Sequence, residues 1–244
     1  MQTVASVGLW AVWAVVLLGT LVPLPLSLTA LRVVAPLAVG WATWSGDWLA
    51  IVSTVVALAV AFAPETGLVF VNGAAYPNER RFPLRAPGAL LAGLLPLSWV
   101  LAVGPVTGGV LLVAADRVVA GVVAVVVGLP VAFVLLRAIH TLSRRWLVFV
   151  PAGVVLHDPL SLVDPVLFQK PTIEALRRAP ADTDSLDLTR GSFGLALELV
   201  LREKVPMTLV RPGTRAGEQG ASARLIFTPT LPEEVLAEAS ARRL

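Results

Sequence analysis

His140 and His157 are the only imidazoles in the chain of 244 residues, and cysteine is absent. Two histidines without a thiolate are too few for a structural zinc site, and a disulfide, an iron–sulfur cluster and a cysteine nucleophile are excluded. His157 adjoins Asp158 and lies near Asp164. That neighbourhood suits a Ser-His-Asp arrangement, but no Gly-x-Ser-x-Gly elbow presents a nucleophile, and both aspartates precede proline, where they open turns. Asp182-Thr183-Asp184-Ser185-Leu186-Asp187 begins like a calcium loop. It fails as one, because Asp187 stands where the loop needs glycine and Phe193 where it needs the closing glutamate. Gly213-Thr214-Arg215-Ala216-Gly217 lacks the Gly-Lys-Ser/Thr of a phosphate loop. The expectation is a non-enzymatic chain with no catalytic residue, no metal and no cofactor.

The remaining charged groups that invite a ligand are arginines. Arg80, Arg81 and Arg85 alternate with Phe82 and Leu84, and Arg144 and Arg145 stand directly before Trp146. Guanidinium groups beside apolar side chains suit anionic lipid headgroups or an acidic partner protein, so these five form the candidate binding site. The competing reading gives them only a role in fixing topology. Arg32 reads as an anchor that snorkels to the interface, and Asp116-Arg117 as a tight charged loop. An ion or substrate pathway is the alternative for both.

These residues are positioned by two kinds of sequence that meet at Leu136–Trp146. The chain is 57% hydrophobic with 14% charge, too apolar for an ordinary globular protein. Residues 1–145 hold eight arginines against four acids, and 146–244 hold eleven bases against twelve acids. The basic surplus therefore lies beside apolar spans, which argues for topology and against nucleic-acid binding. Five spans are expected, at 4–22, 26–44, 48–63, 89–115 and 118–136. The first offers 19 uncharged residues, about 28 Å of helix against a hydrocarbon core of about 30 Å. No basic residue precedes it, so it is read as a retained helix rather than a signal peptide. Pro96 and Gly104-Pro105 kink or break the fourth, and Gly104 and Gly108 form a close-packing face on it. Residues 64–88, with four prolines and the turn dipeptides Asn72-Gly73 and Pro87-Gly88, read as a basic loop.

With five spans, Arg32, the 80–85 stretch and the 137–145 stretch fall on one side, Asp47 and Asp116 on the other. Positive residues favour the cytoplasm, so the N-terminus is expected outside and the C-terminal part inside a bacterial cell membrane. The resulting division is a transmembrane domain over 1–143 and a cytoplasmic domain over 144–244.

Past the seam the pattern changes to that of a water-soluble β domain. Trp146–Val150 and 154–157 flank Pro151-Ala152-Gly153 as a hairpin. Further strands are expected at 166–168, 173–176, 185–189, 193–201, 205–210 and 224–228, with Glu203-Lys204 as a turn and 211–222 as a mobile loop. Thr230 and Glu233 form a capping box that opens a helix to about Arg243, whose stripe of Leu231, Val235, Leu236 and Ala239 packs on the sheet. Strands in this order closed by one helix, starting from Arg144-Arg145-Trp146-Leu147-Val148-Phe149-Val150, resemble the pleckstrin-homology (PH)-like domains of small bacterial membrane proteins. The resemblance spans roughly 144–244 and implies binding or scaffolding rather than catalysis. It carries over no ligand residues. The function expected is thus an integral membrane accessory or scaffold protein whose PH-like domain docks a partner protein or the membrane surface. The alternative is a subunit of a transporter or of a membrane-embedded enzyme.

Overall fold

A computed structural model of the chain describes residues 2–211, 213 and 216–244, with side chains of the first helix from Trp10 onward. The chain divides into two compact units: Met1–Gly73 with Leu91–Ser143, and Ala74–Leu90 with Arg144–Leu244. The first is helical and the second is built on β-sheet.

The helical unit contains α1 (Gln2–Leu21), α2 (Pro25–Ser45), α3 (Trp48–Phe62), α4 (Pro64–Asn72), a π-helical turn (Leu90–Leu94) leading into α5 (Leu95–Ala114), and α6 (Val118–Leu142). Among the described residues, three helices are long and apolar enough to cross a membrane, Pro25–Ser45, Leu90–Ala114 and Val118–Leu142, and the bent pair α3 with α4 makes a fourth candidate. Of the expected first span, the part with described side chains is the shorter apolar helix Trp10–Leu21. Local chemistry sets the ends. Gly46 takes a left-handed φ of 72° at the close of α2, and the Asp47 carboxylate accepts from the N–H groups of Leu49 and Ala50 to cap α3.

Proline breaks inside this unit are repaired by side chains. α3 and α4 meet at a bend of 59°. Pro64 has no N–H for the Val60 carbonyl, and the bend exposes the Ala61 carbonyl as well. The Thr66 hydroxyl donates to Val60 O at 2.6 Å, and Arg32 Nε donates to Ala61 O at 3.0 Å. Pro36 sits inside α2, and one residue on from the Arg32 carbonyl that it leaves without a donor, Trp99 Nε1 donates to Val33 O at 2.9 Å.

Three expectations for these helices need correction. The 89–115 segment is not broken at Gly104-Pro105. It forms one 25-residue span, and its irregularity is the π turn just before Pro96, whose missing N–H deprives the Ala92 carbonyl of its donor. The helix pair α5 and α6 approaches closely at Gly109, Gly121 and Gly128, where a Cβ on Gly121 would lie 2.6 Å from Gly109 O; around Gly104 and Gly108 there is open space. Finally, α6 runs to Leu142 rather than stopping at 136, so Arg137 and His140 are helical.

The β unit has two four-stranded sheets. β1 (Arg80–Pro83), β2 (Trp146–Val150), β3 (Gly153–His157) and β4 (Val166–Gln169) form the first in that order. The second has the order β5-β7-β8-β6, from β5 (Ile173–Arg178), β6 (Leu186–Asp187), β7 (Leu197–Leu209) and β8 (Glu218–Phe227). All neighbours are antiparallel except β6 and β8. The helix α7 (Pro232–Ala241) follows.

The β unit takes in 74–90 as well as Arg144–Leu244, so 74–90 is not a loop of the helical part. Its residues Arg80–Pro83 pair with β2, Arg81 opposite Val148 and Phe82 opposite Leu147. Directly opposed residues share a face. Phe82, Leu147 and Leu156 make one buried row, and Phe149, Val154 and Phe168 a second. Leu197, Leu199, Leu225 and Phe227 do the same in the other sheet, and Val235 and Ala239 bury the inner face of α7. Gly153 is required at the β2–β3 turn, since its φ is 149° and a Cβ would fall 2.1 Å from Phe168 O.

Three further details differ from expectation. Glu203 and Lys204 lie within β7, at a register shift, and do not turn the chain. Of the loop expected at 211–222, residues 212, 214 and 215 lie outside the described residues, and β8 already begins at Glu218. The capping box does not form: the N-cap of α7 is Leu231, while Thr230 donates through both N and Oγ1 to Pro83 O of β1, and Glu233 pairs with Arg178 at 2.8 Å.

Candidate functional site

The five candidate arginines all belong to the β unit, but they divide in their use. Arg80 is half-exposed and lies 3.7 Å from Glu238 and 4.0 Å from Glu234 of α7. Arg81 donates to the Glu79 carboxylate at 2.8 Å, and its guanidinium lies 5.4 Å from the Trp146 ring. The Arg81 hydrogen bonds hold the Glu79 carboxyl below its ordinary value. Arg85 and Arg144 are exposed.

Arg145 departs from expectation altogether, because it is a core residue and unavailable to a surface ligand. Its side chain is 1% exposed, and it grips Asp158 through Nε–Oδ1 at 2.6 Å and Nη2–Oδ2 at 2.8 Å. Its remaining nitrogen, Nη1, donates to Arg85 O at 2.6 Å. Asp158 opens a turn as expected, accepting from Leu160 N and, through its carbonyl, from Ser161 N and Leu162 N. Its charge is nonetheless spent on Arg145, so it does not serve His157.

His157 stacks on Trp146 with ring centroids 5.4 Å apart, and its Nδ1 lies 2.6 Å from the Arg144 carbonyl. Burial lowers its pKa, which favours the neutral ring; the hydrogen bond to that carbonyl opposes the shift without cancelling it. A neutral ring in that geometry donates through Nδ1. His140, in the helical unit, is bonded through Nδ1 to the hydroxyls of Thr29 at 2.9 Å and Ser143 at 3.1 Å. Asp116 adopts a left-handed φ of 62° in the short link between α5 and α6, the geometry of a tight turn.

A second buried charge lies on the far face of the other sheet. Glu198 is 1% exposed and receives Ser185 Oγ at 2.6 Å, Thr183 Oγ1 at 2.8 Å and Arg177 Nε at 2.9 Å. Burial alone would raise its pKa, but the hydrogen bonds from Ser185, Thr183 and Arg177 outweigh it and hold the carboxyl below the ordinary range. The aspartate-rich stretch 182–187 is therefore a lid over Glu198 rather than a calcium loop. Among the described residues, no three His, Asp or Glu side chains converge as metal ligands would.

One feature escaped the sequence reading. Residues 193–201 read as a strand, but β7 starts only at Leu197 and 190–195 form an exposed turn. Arg190, Gly191 and Gly194 all have positive φ, at 54°, 70° and 114°. Between them Phe193 is 72% exposed, with Leu195 at 40%. The two glycines flanking a Ser-Phe pair were the signal, since strand interiors disfavour them.

No protein-family model, curated protein or solved structure matches the chain. What the sequence and fold define is a class: apolar helices of membrane-crossing length joined to a two-sheet β unit that ends in a helix.

Proposed function

We propose that this chain is a non-enzymatic scaffold protein of the bacterial cell membrane, in which five helical crossings hold a PH-like binding module at the cytoplasmic surface for a partner protein. The observation that carries the reading is the pairing of β1 with β2, which builds the module from two segments separated by α5 and α6. Both segments must lie on one side of the bilayer for that sheet to exist, so α5 and α6 run out and back. Contacts inside the helical unit accord with this. Thr29 meets His140, Arg32 meets Ala61 and Val33 meets Trp99, so the starts of α2 and α5 neighbour the ends of α3 and α6. The surplus of arginine in the two segments and their flanks favours the cytoplasm for that side.

A binding role is favoured over catalysis or transport by how the reactive groups are used. Arg145, Asp158, His157 and Glu198 are committed to contacts within the β unit, and Arg32 to the Ala61 carbonyl. The chain passes between the helical unit and the β unit three times, after residues 73, 90 and 143.

The test is purification of the full chain from its native membranes, followed by native mass spectrometry. A partner at fixed stoichiometry, lost when exposed Arg144 is changed to Glu, is the expected result. Recovery of the chain alone, together with solute flux in proteoliposomes, overturns the reading in favour of a transport subunit.

A further inference from the structure

The 190–195 turn presents an aromatic ring to solvent from a rigid, strained base. An exposed Phe side chain forgoes the gain of burial, and left-handed φ at Arg190 adds a cost that a relaxed loop would avoid. Yet the turn is held firmly. Gly88 N donates to Gly191 O at 3.1 Å, Ser192 Oγ donates to Arg85 O at 2.9 Å and to Thr189 O at 2.7 Å, and Thr189 Oγ1 accepts from Gly191 N at 3.2 Å. The Phe193 ring lies on Gly88, where a Cβ would come within 2.3 Å of it. A Cβ on Gly194 would likewise meet Arg85 Nε at 2.9 Å.

The base of this turn is 85–88, and chain continuity fixes how far that is from the membrane. The apolar span begins at Leu90, two residues beyond Gly88, a separation of at most about 7–8 Å. Interfacial groups penetrate about 5–10 Å into the headgroup and acyl boundary. Phe193 is therefore within interfacial reach. The other junctions carry similar groups: Tyr76, 77% exposed, lies two residues past Ala74, and exposed Arg144 directly follows Ser143. Tyr76 and Phe193 are the most exposed aromatic rings of the β unit among the described residues. Aromatic rings and arginines gathered where helices leave the bilayer form an interfacial belt.

We propose that the 190–195 turn is a membrane wedge: Phe193 and Leu195 enter the headgroup and acyl boundary of the leaflet where α5 starts, and Arg85 contacts phosphate beside them. The occupant is glycerophospholipid. The inference rests on the membrane-side placement of the β unit argued above.

The experiment uses the full chain in nanodiscs of phosphatidylcholine with a minor share of phosphatidylglycerol. The absence of native cysteine permits single labelling, so Phe193→Cys, Leu195→Cys and, on β4, Leu167→Cys each carry an environment-sensitive fluorophore. The wedge gives blue-shifted emission at 193 and 195, quenched by lipid with a doxyl group near the headgroup and shielded from iodide, while the label at 167 stays open to iodide. Iodide access at 193 and 195 equal to that at 167 overturns it. So does shielding from both quenchers, which would mean a protein surface covers the turn. Iodide access at 193 and 195 with a partner still co-purifying removes only the wedge. Doxyl quenching with no partner retains the wedge and removes the scaffold reading.

Discussion

Arg145 and Asp158 form a two-pronged ion pair sealed in the core of the β unit, with both side chains at most 1% exposed. The third arm of the guanidinium reaches Arg85 O, so the pair also locks the segment after β1 to the residue that precedes β2. Removing either partner leaves a buried charge unmatched, at a cost of about 3–5 kcal/mol. Arg145→Ala and Asp158→Ala are each expected to lower the melting temperature of the β unit sharply. Arg145→Lys keeps the charge but loses the fork, and is expected to rescue only part of the loss. Thermal unfolding followed by β-sheet circular dichroism checks this; wild-type stability in the Lys variant would deny the fork its role.

The piece 144–244 lacks β1, and its β2 edge, with fully buried Leu147 and Phe149, would be left open. Unpaired apolar edges aggregate. Expressed alone, 144–244 is expected to self-associate, and fusing 74–90 ahead of it through a flexible linker is expected to give a soluble monomer. Analytical ultracentrifugation of both decides, and a monomeric, folded 144–244 would show that β1 is dispensable.

Acid is expected to weaken the β unit in two stages. His157 has a depressed pKa, so between its folded value and the usual value of about 6.5 the unfolded chain holds a proton that the folded chain lacks. Stability therefore falls as pH drops through 6.5 and levels off below the folded value. Glu198 is also depressed, so its contribution is full above about 4.5 and is lost as pH falls through its lower folded value. Denaturant midpoints against pH should lose the first stage in His157→Gln and the second in Glu198→Gln. Unchanged profiles would refute both assignments.

The α5–α6 seam discriminates between glycines of the same helix pair. Gly121→Leu forces a side chain into the Gly109 carbonyl and is expected to cost about 1–3 kcal/mol or more, whereas Gly104→Leu meets open space and should be nearly neutral. Thermal stability of the two variants in detergent is the measurement; equal losses would mean the seam does not lie where Gly109 and Gly121 meet.

The long apolar helices and the β2–β3 hairpin were legible because each is set by local pattern: apolar runs, alternation, and turn residues at Pro151-Ala152-Gly153. β1 was not. Four residues ending in proline carry no periodicity of their own, and their partner lies beyond two whole helices. Arg80, Arg81, Arg85, Arg144 and Arg145 were read as one group, but charge alone makes Arg144 and Arg145 alike. Only tertiary structure gives Arg145 its aspartate, and the same aspartate precedes a proline, which in sequence explains it fully as a turn. Thr230 and Glu233 fit a capping box locally, yet Pro83 O and Arg178 compete for them and win, because both arrive with strands that the capping rule does not see.

The passage of 74–90 into the first sheet also orders the biogenesis of the chain. Arg80 leaves the ribosome long before Phe149, its partner across the sheet, and stays unpaired until α5 and α6 have both been made. Had that hairpin inserted the wrong way, or only one of its helices crossed, the early strand and the late ones would be stranded on opposite faces. The sheet would then stay open, with an unpaired edge for proteases and chaperones to find. Closure of β1 on β2 thus requires the segments before α5 and after α6 to share one side of any membrane those two helices cross.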